Sequence, residues 1–407
     1  MAVDLSVVFC GVRFENPFIL AAAPSTDNAD MVARGFEAGW AGAILKTTSV
    51  ESEVVSLAYP MMVGLDIDAR RLVALENIDL ISERHIDQVE KDVRRLKKEF
   101  PKKVVAASIM GGKKEDWEEL VRRLEAAGVD LIECSFSCPH GMPEKGMGSA
   151  VGQNPELTEK TARWVKDAAK RVPVIIKLTP QIADIAVAAE AVKRSGADGV
   201  TAINTLKGLM GVDLDTFVPY PNVGGYSTYG GISGPAIKPV ALRCVAEIAR
   251  KVDIPISATG GVTTWRDAAE FLLLGARTVQ VCTEVMRHGF RVIEDLTDGL
   301  ANYLEDKGFS SVEEIIGKTL PHVVEHSQLP RDKKVRAHVD PEKCIRCGVC
   351  YVACRDGGHQ AIEFGADRLA RVDEEKCVGC GFCPTTCPVF DCLTLRPASA
   401  GKGRAVS

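Results

Sequence analysis

The chain has 407 residues and a formal net charge of −5 at pH 7, enough for one large domain and a small one, and its acidic balance excludes an electrostatic case for nucleic acid. No apolar stretch reaches the length needed to cross a bilayer, and the opening Met-Ala-Val-Asp-Leu-Ser is not a signal peptide. Of the fourteen cysteines, eight fall into one C-terminal pattern and not into a secreted disulfide framework, so a cytoplasmic address is the expectation.

Residues 1–305 alternate short apolar runs with longer amphipathic segments, the mark of βα units around a parallel sheet. Strands are predicted at Phe18–Ala23, Gly42–Lys46, Val104–Ile109, Leu131–Phe136, Val174–Leu178, Gly199–Ile203, Ile256–Thr259 and Thr278–Cys282. Helical periodicity marks Asp116–Ala127, Glu156–Lys170, Ile182–Ser195 and Thr264–Leu274, with Gly128 and Gly196 as stops. Eight such units predict an α/β fold, a (β/α)8 TIM barrel, with a doubly wound sheet as the alternative. In a barrel, functional groups gather at the C-terminal ends of the strands.

Polar residues stand at those ends. Lys46 ends the second strand, Lys177 the fifth; Asn204 and Thr205 follow the sixth, Gly260 and Gly261 the seventh, Cys282 and Thr283 the eighth. Glycines after strand seven and amides after strand eight suit a phosphate, because peptide N–H groups approach an anion where no Cβ intrudes. A lysine at a strand mouth suits the charge of a reduced flavin, and a salt-bridged surface lysine is the bland alternative. The stretch from Cys134 to Gly152 is too rich in glycine for helix or strand and reads as a mobile active-site loop. Within it Cys138 is placed for proton transfer, since a thiol titrates near enough to neutrality. Cys10, Cys134, Cys244 and Cys392 read as small buried apolar side chains.

Residues 306–336 read as a connecting arm, partly helical near Val312–Ile316, and 397–407 as a disordered tail. Between them, 337–396 carries Cys344-Ile-Arg-Cys347-Gly-Val-Cys350-Tyr-Val-Ala-Cys354 and Cys377-Val-Gly-Cys380-Gly-Phe-Cys383-Pro-Thr-Thr-Cys387-Pro388. Both are C-x2-C-x2-C-x3-C runs, the spacing of an α+β two-[4Fe–4S] ferredoxin-like domain in which each fourth cysteine serves the other cluster. One cluster is expected on Cys344, Cys347, Cys350 and Cys387, the other on Cys377, Cys380, Cys383 and Cys354. Zinc is the alternative, but it has no use for this doubled, interleaved spacing.

Asn77-Ile-Asp-Leu-Ile-Ser-Glu83, Ser137-Cys138-Pro-His-Gly-Met142, Ala202-Ile-Asn204-Thr205, Tyr229-Gly-Gly-Ile-Ser-Gly234, Ala258-Thr-Gly-Gly261 and the paired cysteine runs resemble the pyrimidine-binding barrel and iron–sulfur module of dihydropyrimidine dehydrogenase. The barrel is dihydroorotate dehydrogenase-like. No G-x-G-x-x-G stands at a strand–helix junction, so the resemblance is to a smaller subunit supplied with electrons by a separate FAD- and NAD(P)-binding partner. It implies FMN contacts from Lys177, Gly234, Gly260, Gly261, Cys282 and Thr283, with Lys46 alongside. It further implies a substrate ring held by Asn77, Ser135, Ser137, Asn204 and Thr205. Cys138 would give a proton to C5 of uracil or thymine as flavin hydride reaches C6. A homodimer or heterotetramer is implied as well.

The family has asparagine three residues before the catalytic cysteine, where this chain has Ser135. A hydroxyl reaches less far than an amide and cannot offer its paired donor and acceptor. That leaves open another cyclic conjugated carbonyl or aromatic acid derivative as substrate, or a non-catalytic electron-transfer subunit.

Overall fold

The computed structural model describes residues 3–52, 55–67, 71–79, 81–136 and 149–398, and the chain divides into a unit ending at Val323 and a unit beginning at Val324. Ser137 and Cys138, with most of the glycine-rich loop, lie outside the described residues.

The first unit is a closed barrel of eight parallel strands: β1 Phe18–Leu20, β2 Gly42–Thr48, β3 Val104–Ile109, β4 Leu131–Ser135, β5 Val174–Leu178, β6 Gly199–Ala202, β7 Ile256–Thr259 and β8 Thr278–Val281. β8 pairs with β1 to close the ring. Strands buried on both faces read as near-continuous apolar runs, and Val104–Ile109, wholly buried, is apolar but for Ser108. Helices α1 Ala29–Ala38, α2 Ile86–Glu99, α3 Lys114–Ala127, α4 Pro155–Ala168, α5 Ile185–Ser195, α6 Lys238–Lys251, α7 Trp265–Leu273 and α8 Val292–Asp306 accompany the strands. Gly128 and Gly196 end α3 and α5 at φ +99° and +85°, a left-handed conformation that a side chain would oppose.

A hairpin, Val7–Phe9 with Val12–Phe14, covers the N-terminal ends of the strands. Its contacts are so close that a Cβ on Gly42, at the start of β2, would lie 2.9 Å from the Phe14 ring. The opposite mouth carries a four-stranded antiparallel sheet that the sequence reading did not anticipate, ordered Leu206–Gly208, Gly230–Ser233, Arg71–Asn77, Met62–Ile67. Its strands come from the excursions after β2 and β6. The buried Glu76 carboxylate joins them, accepting from Gly230 N at 2.8 Å and Met210 N at 2.6 Å. Gly230 must be glycine, since a Cβ there would meet Glu76 Cγ at 2.4 Å.

β2 runs on to Thr48, with an irregular register between Leu45 and Thr48, so Lys46 lies within the strand and not at its end. The glycine-rich loop finishes in one helical turn, Ser149–Gly152, where a Cβ on Gly152 would fall 2.0 Å from Phe136 O. Of the stretch read as an arm, the part through Val323 belongs to the barrel unit: Val312 and Ile315 are fully buried, and Asp4 N donates to Ser310 O at 2.9 Å.

The second unit is a pseudo-repeat. Val335–Val339 pairs with Leu393–Pro397, and Ile362–Phe364 with Ala370–Val372, both antiparallel. Helix Val349–Gly357 carries Cys350 and Cys354 of the first cysteine run, and helix Phe382–Thr386 carries Cys383 of the second. Among the described residues no helix is long and apolar enough to cross a membrane.

Candidate functional site

Barrel closure brings the C-terminal strand ends around two adjoining cavities of about 70 and 130 Å³. The first is lined by Lys177, Gly234, Gly260, Gly261, Cys282 and Thr283, six of the seven residues expected to hold cofactor. The second is lined by Asn77, Ser135, Asn204 and Thr205, together with Lys46. Asn204, Thr205, Ser233 and Cys282 border both. Lys46, expected alongside the cofactor, thus sits in the second cavity. There Lys46 Nζ pairs with Asp79 Oδ2 at 2.5 Å, both side chains largely buried.

The glycine turn after β7 is held rigidly. Gly260 and Gly261 have φ +127° and +77°, and a Cβ on Gly261 would lie 2.8 Å from Lys238 N and 2.9 Å from Gly234 O. Downstream, one oxygen of Asp267 accepts from Thr263 N, Thr263 Oγ1, Thr264 N and Thr264 Oγ1, while the other binds Lys238 Nζ at 2.6 Å. Burial pushes this carboxyl up, but the Lys238 ammonium and the threonine donors outweigh it and hold it at about 2. Burial raises the Cys282 thiol, against the pull of nearby Lys177, and so favours the neutral form.

Beneath the first cavity lies a polar network that sequence reasoning missed. Glu133, on β4, is fully buried; its Oε1 is 3.4 Å from Lys177 Nζ, and its Oε2 accepts from Thr201 Oγ1 at 2.7 Å and Gln280 Nε2 at 3.1 Å. Gln280 Nε2 also reaches Ser257 Oγ at 3.1 Å. The signal was present, since Glu133 interrupts the apolar run Leu131-Ile-Glu-Cys-Ser135, and a buried charge in a strand needs a partner. Asp79 was missed too, although it stands two residues beyond Asn77 and accepts no less than Lys46's charge.

These residues fit a flavin phosphate and ring. The cavity wall is glycine where a side chain would collide, and a buried lysine stands in it. Gln280 Oε1, buried in that wall, has no hydrogen-bond partner among the described residues and suits a ring N–H donor.

In the second unit, Cys344, Cys347, Cys350 and Cys387 line one small cavity, and Cys354, Cys377, Cys380 and Cys383 another. Among the described residues no three His, Cys, Asp or Glu side chains converge tightly enough for a single metal ion. Four thiols spread around a cavity fit a cubane, which separates its ligands, better than zinc, which draws them together. Backbone donors also reach the sulfurs: Ala361 N to Cys354 Sγ at 3.3 Å and Ala337 N to Cys377 Sγ at 3.5 Å.

The dihydroorotate dehydrogenase family model matches residues 4–304, and a 4Fe-4S dicluster domain model matches 337–395. The chain is 43% identical over 364 residues to the NAD-dependent dihydropyrimidine dehydrogenase subunit PreA of Escherichia coli K12, covering 89% of this chain and 88% of that protein. It is 41% identical over 343 residues to the chloroplastic dihydropyrimidine dehydrogenase (NADP(+)) of Arabidopsis thaliana, covering 81% and 80%. The catalytic subunit of dihydroorotate dehydrogenase B (NAD(+)) from Pyrococcus furiosus is 38% identical over 314 residues, 98% of that protein but 77% of this chain. A solved dihydroorotate dehydrogenase of Eimeria tenella superposes with a TM-score of 0.66 over 79% of this chain and 89% of that one, at 21% identity, and speaks for the fold alone. With its barrel and its dicluster domain both matched, the chain is an oxidoreductase that belongs to the dihydroorotate dehydrogenase family and is similar over most of its length to dihydropyrimidine dehydrogenases.

Proposed function

We propose that this chain interconverts a pyrimidine base, uracil or thymine, and its 5,6-dihydro form. The observation that carries the reading is the meeting of Asn77, Ser135, Asn204 and Thr205 in one cavity that shares a wall with the glycine- and lysine-lined one. Relatives from Escherichia coli and Arabidopsis thaliana named as dihydropyrimidine dehydrogenases support it.

Lys177, Gly234, Gly260, Gly261, Cys282 and Thr283 would hold FMN, which when bound supplies the hydride that C6 of the base accepts. The amide-rich ring would lie among Asn77, Asn204 and Thr205, whose amides and hydroxyl offer paired donors and acceptors. Ser135 and Ser137 would complete that shell. Cys138, three positions beyond the end of β4 in sequence, would give its proton to C5 and regain one from solvent. Two [4Fe–4S] clusters on the cysteine quartets would carry electrons from an FAD- and NAD(P)-binding partner. The Escherichia coli relative's designation as a subunit supports a partner of some kind.

Ser135 favours a second reading. It is buried at the cavity wall, and a ring amide left unpaired there costs about 1–3 kcal/mol. A related planar conjugated carbonyl that makes no demand on that position would then be preferred. Anaerobic photoreduction followed by addition of uracil, thymine and a panel of cyclic enones separates the two. Rapid flavin reoxidation by uracil or thymine supports pyrimidine reduction. Reoxidation only by another ring moves the substrate, and purification without flavin but with clusters refutes the catalytic reading. In a Cys138→Ala variant, substrate-driven reoxidation should fall at least a hundredfold while photoreduction is unchanged.

A further inference from the structure

The two halves of the second unit repeat closely. Asp340 and Asp373 each precede a cysteine run by four residues, and each backbone oxygen accepts from the first cysteine's N–H, Cys344 at 3.1 Å and Cys377 at 2.9 Å. Each aspartate N–H in turn donates across to the other half: Asp373 N to Ala361 O at 2.7 Å, and Asp340 N to Cys392 O at 2.8 Å. Ala361 and Cys392 are therefore equivalent positions. Each is buried, each follows a fourth cysteine (Cys354 or Cys387), and each lines the cavity of one quartet.

At this position a methyl group suffices for packing, as Ala361 shows, and yet the first cavity carries a thiol. Cys392 lines the same cavity as Cys387 and Cys344, and its Sγ lies 3.7 Å from the Asp340 carbonyl oxygen. The first cavity is thus lined by five thiols and the second by four. The fifth is 3% exposed, whereas Cys347 and Cys380 stand at the surface.

We propose that Cys392 is a reserve ligand of the first iron–sulfur site, able to take the iron left by Cys387. The inference rests on the cluster reading of the two quartets. In the exchange the Cys392 thiol gives its proton to solvent and its sulfur forms the Fe–S bond that the Cys387 sulfur no longer makes. No electron changes hands. The first site thereby tolerates loss or oxidation of its remote ligand, while the second does not.

The test compares the two remote ligands in the full-length chain, purified anaerobically, by iron content and by electron paramagnetic resonance after reduction. The wild type should hold about eight irons; a value near zero would instead refute the cluster reading itself. Cys354→Ala should fall to about four irons, because Ala361 offers no sulfur. Cys387→Ala should keep about eight with an altered first-cluster spectrum, and Cys387→Ala/Cys392→Ala should fall to about four. Equal iron loss in Cys387→Ala and Cys354→Ala overturns the proposal. A transplant guards against misfolding of a single variant: Cys354→Ala/Ala361→Cys should recover the second cluster, and failure to do so while the protein remains folded also counts against it.

Discussion

The pair formed by Lys177 and Glu133 offers a direct measure of what the barrel interior has been built to hold. Their side chains are 9% and 0% exposed, and at 3.4 Å an effective dielectric of about 20 gives an attraction of about 5 kcal/mol. Removing one partner of a buried pair leaves the other charge uncompensated, which typically costs about 3–5 kcal/mol. Lys177→Met strands the Glu133 carboxylate with only Thr201 and Gln280 as donors among the described residues. Glu133→Gln keeps an acceptor for those donors but turns an amide N–H2 toward the lysine. Each single variant should therefore lose about 3–5 kcal/mol. The double variant should lose clearly less than their sum, with a coupling energy of about 2–3 kcal/mol. All four tryptophans, Trp40, Trp117, Trp164 and Trp265, lie in the barrel unit, so tryptophan fluorescence in denaturant reads that unit alone. Additivity within about 0.5 kcal/mol would refute the reasoning.

Asp267 sets a pH window. Its folded value of about 2 lies below the ordinary 3.8, so its contribution of about 2 kcal/mol is fully present above pH 4 and lost as pH falls toward 2. Asp267→Asn should lower stability by that amount at pH 5–8, with the gap to wild type closing below pH 4 in melting curves; a gap independent of pH would show that charge is not responsible. Gly261→Ala, forced against Lys238 N and Gly234 O, should weaken FMN binding to the apoprotein more than tenfold by fluorescence titration. Gly11→Ala, with a similar φ of +80° but open space around it, should leave that affinity within about twofold. Glu76→Ala deprives Met210 N and Gly230 N of their acceptor, at about 1–3 kcal/mol for each buried donor. By loosening the sheet over the mouth it should raise KM for the substrate more than it lowers kcat, in steady-state kinetics.

Much of this was legible because it is local. A strand buried on both faces reads as a near-continuous apolar run, and Val104–Ile109, broken only by Ser108, can be read as such without a neighbour. Cysteine spacing is equally local, since three thiols within seven residues already face one cavity, as Cys344, Cys347 and Cys350 do. The sheet over the mouth was not legible. Two of its strands, Leu206–Gly208 and Gly230–Ser233, are only three and four residues long and carry Gly208, Gly230 and Gly231, and the sheet pairs residues as distant as Asn77 and Gly231. Neither segment has a strong strand signal alone; each becomes a strand when the other supplies its hydrogen-bond partners.

The residue types at the strand ends, the glycines after the seventh strand and the paired cysteine runs were determined by the sequence alone, because periodicity and spacing act over a few residues. Which of those groups face one another was decided by closure of the barrel. Lys46 meets Asp79 across 33 residues and Lys177 meets Glu133 across 44. A lysine's charge is evident in the sequence, but the carboxylate that balances it depends on a distance of a few ångströms that only the packed structure sets.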